Sequence, residues 1–184
     1  MTNQWDQGHA FWQQARLLLK QGIEYECVDN FMEWPMIKQT MFVGSPEYVD
    51  VELEEMKKHK DWESYWKPLL VDDTIPSNLV YDRDTSLKTC GNTIHHLYHL
   101  YKWEEYSGKR ISDVKSILEV GAGYGNTARL IKKMGFTGSY IIADLPEFSA
   151  LQEYYLKKSG INTTKFLWNP TFALGSFDLF IAEW

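Results

Sequence analysis

Residues 117–126 read Ile-Leu-Glu-Val-Gly-Ala-Gly-Tyr-Gly-Asn, and no other stretch constrains the fold as tightly. An apolar run of strand length ends abruptly in glycines at 121, 123 and 125, and a helical pattern begins at Asn126. Glycines at alternate positions let a backbone turn sharply where side chains would obstruct it, and leave helix-terminal amides open to a ligand. A strand passing through such a turn into a helix is the opening unit of a parallel α/β sheet.

The rest of the C-terminal part follows suit. Ser116–Val120 reads as a buried strand, the helix after the glycines runs to about Met134, and Gly135 ends it. Ser139–Ala143 is a second strand, Pro146 opens a second helix, and Ser159-Gly160 closes it. Residues 163–167 and 177–182 supply a third and a fourth strand. Strands alternating with crossover helices predict a Rossmann-like parallel sheet of about four strands, and the usual order in such a fold is third, second, first, fourth. Before residue 110 the pattern is helical and aromatic instead. Residues 10–24 place Phe11, Ala15, Leu18, Leu19 and Ile23 at helical spacing. Ser45-Pro46-Glu47 reads as a helix start leading to about Lys60, residues 62–70 as a short helix, and Asn92 onward as a longer one ending near Ser107-Gly108. The division expected is a helical lid or assembly region over 1–110 and a partial ligand-binding domain over 111–184.

Two loop types fit the glycines. A dinucleotide fingerprint requires Gly-x-Gly-x-x-Gly/Ala, and the sixth position here is Asn126. The alternative, acid-x-Gly-x-Gly-x-Gly, is met by Glu119 and the three glycines. Asp144 ends the second strand, 23 residues after Gly121. An acid there accepts hydrogen bonds from ribose hydroxyls in nucleotide-binding folds, and it also caps the helix opened by Pro146. The two roles are compatible.

The acid-x-Gly-x-Gly-x-Gly segment resembles the first motif of the class I S-adenosylmethionine-dependent methyltransferases. That resemblance implies the cofactor on the backbone of Gly121, Ala122, Gly123 and Gly125, with Glu119 facing its cationic methionine end. It also implies Asp144 on the ribose, Leu145 against the adenine, and Trp168 and Asn169 at the adenine edge. In finer detail, Leu118 to Gly125, Asp144-Leu145-Pro146 and Trp184 resemble the sugar O-methyltransferase family, over roughly residues 85–184. The nucleobase amino-methyltransferases carry Asn-Pro-Pro-Tyr after the fourth strand, where this chain has Ala182-Glu183-Trp184; Asn169-Pro170-Thr171-Phe172 comes too early and reads as a turn. The function expected is methylation of a small-molecule hydroxyl, a sugar being the favoured acceptor. The alternatives are an inactive fragment or binding module of the same fold, and a nicotinamide-dependent oxidoreductase.

Hydroxyl methylation needs alignment of acceptor, methyl and sulfur, and a general base. His95, His96 and His99 cluster on one predicted helix and are base candidates, although histidines on amphipathic helices commonly pack or face solvent. Glu183 falls near the methyl by topology, and no catalytic residue is assigned. The chain is expected to be cut after the fourth strand and inactive alone. The apolar fourth strand is then an edge inviting a homodimer.

Composition narrows the partners. A net charge of −6, with lysines interleaved among acids, argues against nucleic acid. Cys27 and Cys90 have no metal-ligand spacing, so neither a disulfide framework nor a metal site is expected. With no signal peptide and no membrane-length apolar run, a cytoplasmic location is expected. Eight tryptophans suit either core packing or a sugar-stacking face.

Overall fold

The glycine-rich turn does lie between a strand and a helix of a parallel sheet. The computed structural model describes residues 4–42, 47–72, 81, 83–84, 86–162, 164–167 and 175–182. Strands β1 (Ser116–Val120), β2 (Ser139–Ala143), β3 (Thr164–Leu167) and β4 (Leu179–Ala182) form one sheet in the order β3-β2-β1-β4. Every pairing is parallel. The helices are α1 (Gln4–Tyr25), α2 (Pro35–Thr40), α3 (Glu47–Lys57), α4 (Lys67–Leu70), α5 (Gly91–Ser107), α6 (Asn126–Lys133) and α7 (Pro146–Lys158). This is an α/β, Rossmann-like fold preceded by a helical region, as expected, with the strand order also as expected.

Side chains alternate across a strand, so register assigns the faces. Ile117, Glu119, Tyr140 and Ile142 share one face and are fully buried, with Phe166, Leu179 and Ile181 half-buried beside them. The other face buries Leu118 and Ala143, while Lys165, Ile141, Val120, Phe180 and Ala182 around them are exposed or half-exposed, with Phe180 at 60%. Parallel sheets normally bury both faces. Here one is packed and the other is only partly covered among the described residues.

The helical region and the sheet share one hydrophobic cluster, running from Ala15 and Leu19 on α1 through Trp66, Ile94 and Leu97 to Tyr140 and Tyr155. α1 buries a narrower stripe than its periodicity suggested: Ala15, Leu19 and Gly22 are buried, whereas Phe11 and Leu18 are exposed. Gly22 is there because Trp34 lies against it; a Cβ would sit 2.7 Å from the ring. Trp34, Trp62 and Trp66 are core residues, which favours packing over sugar stacking for these three.

Several boundaries differ from the sequence reading for local reasons. α3 stops at Lys57, after which Lys58 and His59 donate to carbonyls three residues back in a tightened turn. Residues 62–70 are not one regular helix. Trp62–Trp66 forms a π-turn, with Trp66 N–H reaching the Asp61 carbonyl, before α4 begins. Pro68 follows at once, and its missing N–H accords with an interrupted ladder. The short turn Val28–Glu33 and α2 were not anticipated. Just before β4, Asp178 clips the chain to the start of β1: its N–H donates to the Ser116 carbonyl, and its carboxylate accepts from the Lys115 and Ser116 amides and the Ser116 hydroxyl. The Ser116 hydroxyl first, then the Lys115 amide, hold the Asp178 carboxyl below its ordinary pKa. The helix start at Ser45-Pro46 lies outside the described residues. No helix among those described is long and apolar enough to cross a membrane.

Candidate functional site

β1 and β2 run in register from Ser116↔Ser139 to Val120↔Ala143, so the residues that follow them, Gly121 and Asp144, emerge side by side. The Gly121 N–H donates to the Ala143 carbonyl at 3.2 Å, closing that junction. Gly121, Gly123 and Gly125 have φ values of 74°, 55° and 98°. All three are left-handed, a conformation any side chain would strain. Gly125 caps α6, and its N–H donates to the Ala122 carbonyl. The turn therefore delivers the α6 N-terminus to the carboxyl ends of β1 and β2. β4 flanks β1 on the other side, so this is where the strand order reverses, the usual ligand crevice of open α/β sheets.

Asp144 is half-buried beside this turn. Its Oδ1 accepts from the Leu145 amide at 2.8 Å and its Oδ2 from Gln152 Nε2 at 2.7 Å. Burial raises its pKa above the ordinary aspartate value, partly offset by the Leu145 amide, Gln152 and the Ala122 amide. Gln152 Nε2 also donates to the Gly123 carbonyl at 2.9 Å. One fully buried amide on α7 thus ties the acid to the glycine turn. Sequence reading passed over Gln152. Its signal was a polar residue on the apolar stripe Phe148, Leu151, Tyr155 and Leu156.

The structure brings together Gly121, Ala122, Gly123, Gly125, Asp144 and Leu145. Gly121, Gly123, Asp144 and Leu145 are the partly exposed members, and Ala122 and Gly125 are buried beneath them. Glu119 sits lower, at 0% exposure on the packed face, where its Oε2 accepts from the Tyr140 hydroxyl at 2.7 Å. Its carboxyl group thus lies under the turn and not on its open side. Trp168, Asn169, Glu183 and Trp184 lie outside the described residues.

Asn126 is more than a departure from a dinucleotide pattern. Its Oδ1 accepts from Arg129 Nε at 3.1 Å and from the Tyr155 hydroxyl at 3.3 Å, which fixes the amide orientation. Its Nδ2 then donates to His96 Nδ1 at 3.1 Å. Arg129 and Tyr155 both reach Asp72, at 3.1 and 3.0 Å, in a buried network joining α6 and α7 to the helical region. Of the three histidines, His96 touches the start of α6. His95 turns instead to Glu52 on α3, and His99 is exposed. Cys27 is exposed, Cys90 is buried, and both are free. Glu52, His95 and His99 offer ligand atoms all within 4.8 Å of one another. A cavity of about 50 Å³ between α7 and β3, lined by Leu156, Ile161 and Phe166, is far too small for a nucleoside.

No family model matches the chain, and no curated protein matches it. Among solved structures, coclaurine N-methyltransferase bound to N-methylheliamine and SAH is similar over 90% of this chain and 54% of its own, at 14% identity and a TM-score of 0.37. The chain thus spans about half the length of that enzyme.

Proposed function

We propose that this chain binds S-adenosylmethionine and belongs to a methyltransferase acting on a small-molecule hydroxyl, a sugar being the favoured acceptor. The observation that carries the reading is the junction of three left-handed glycines with Asp144, braced by Gln152, at the carboxyl ends of β1 and β2. There the glycine backbone puts no side chain of its own in a ligand's way, and with the Leu145, Gln152 and Ala122 donors in place Asp144 keeps about one of its roughly four lone-pair sites for a ribose hydroxyl. Leu145 offers an apolar surface beside it for adenine. Glu119, buried against Tyr140 at the end of β1, is the acid that the resemblance assigns to the methionine end. The sugar preference rests on sequence resemblance alone. The nicotinamide alternative is less well supported, because Asn126 is committed to Arg129, Tyr155 and His96 where that fingerprint needs a small residue.

Calorimetry with S-adenosylhomocysteine tests the reading. Saturable binding is expected, with Asp144→Ala weakening it by about 1–3 kcal/mol, the range for hydrogen bonds to a charged group. A folded Asp144→Ala chain of unchanged affinity would remove the ribose role, and displacement by NAD would favour the alternative.

A further inference from the structure

α5 presents His95 and His99 one turn apart on the same side, and α3 packs against that side with Glu52. Glu52 is buried, His95 half-buried and His99 exposed, so the three step from the core to the surface. His95 Nδ1 lies 2.8 and 3.0 Å from the two Glu52 oxygens. Burial raises the Glu52 pKa, and His95 opposes that rise. We propose that Glu52, His95 and His99 form a binding site for a zinc-class divalent cation, with the remaining coordination position open to solvent.

Two imidazoles and a carboxylate are a donor set suited to zinc and cobalt, and three protein ligands leave a fourth position for water or a small ligand. A tetrahedral ion with bonds of about 2.0–2.1 Å sets its ligand atoms about 3.3 Å apart. The His95–Glu52 contact must open by about half an ångström to admit the ion, which takes the place of the hydrogen-bonding proton. The widest separation in the group, at most 4.8 Å, must close by no more than about 1.5 Å, within the reach of a rotation of the exposed His99. The His95 and His99 rings meet edge to face with their centroids 4.3 Å apart, so the two imidazoles are already side by side next to Glu52. The edge of the Tyr48 ring, 5.3 Å from His95, screens one side of the group. The neighbouring His96 contacts Asn126, directly after Gly125, so a cation here would brace α5 beside the glycine turn without touching it.

The test is zinc chloride titrated into EDTA-stripped protein by calorimetry, with cobalt absorption as a second readout. One equivalent of saturable zinc is expected, together with a cobalt spectrum of low coordination number. His99→Ala should weaken zinc by 10-fold or more and abolish that spectrum. Because His99 is exposed, this variant keeps its fold, and far-ultraviolet circular dichroism verifies it. Glu52→Gln should do the same where it folds. Absence of a one-equivalent step, or a step that His99→Ala leaves unchanged, overturns the proposal.

Discussion

Asp144 combines burial with an acid's hydrogen-bonding capacity, and the combination has a cost that pH can reveal. Burial raises its folded pKa above the ordinary 3.8. The folded state therefore holds the proton more tightly than the unfolded chain does. The resulting stability is complete below pH 3.8 and is lost as pH rises through the folded value. Asp144→Asn is neutral throughout, so its stability relative to the parent should improve as pH climbs from the acid range to neutrality. Urea melts of both chains at stepped pH measure this, and a pH-independent difference would refute it. The same variant should bind S-adenosylhomocysteine more weakly. A residue that costs stability and supports binding is what a functional position looks like.

At the scale of elements, the close approach of α1 and Trp34 is the most exposed to a single methyl group. Gly22→Ala gains about 1 kcal/mol of helix propensity but forces a Cβ into a buried indole, an overpacking cost of about 1–3 kcal/mol. The expected outcome is a net loss of stability in thermal or urea unfolding, and a more stable variant would show that Trp34 can yield. The same elements show how far the sequence could be read. All four strands and the glycine turn were legible, because short apolar runs and glycine punctuation are local signals; the strand order followed from the usual arrangement of such a fold. The acid pair was legible as residue types, and the docking of Glu119 on the packed face, where its carboxylate accepts from Tyr140, follows from strand alternation. Gln152 showed only as a polar residue on an apolar stripe, and the meeting of Glu52 with His95 not at all. What the two side chains contact depends on how α7 and α3 dock, which no pattern within one element encodes.

Across the whole molecule, the open sheet face and the apolar outer strand dominate the expected behaviour. Phe180 stands at 60% exposure opposite Leu118 on β1, and β4 has no neighbour on its outer side among the described residues. Such an edge is a template for another strand. We expect the 184-residue chain to associate with a second copy through β4. Light scattering at micromolar concentrations should give a dimer mass, and Phe180→Lys should return it to a monomer. A monomer at the outset would sink the idea.

The Asp178 clip carries a consequence in time. β4 meets β1 only when Asp178 grips Ser116, 62 residues earlier in the chain. A ribosome adding about 5–20 residues per second leaves an interval of roughly 3–12 s between making one and making the other. Through that interval β2 and α6 can already be in place while the β4 side of β1, from Ile117 to Val120, waits with open amides and carbonyls. A strand made well after β2 thus joins β1 on the side opposite β2, and a single carboxylate on two backbone amides marks its register on arrival.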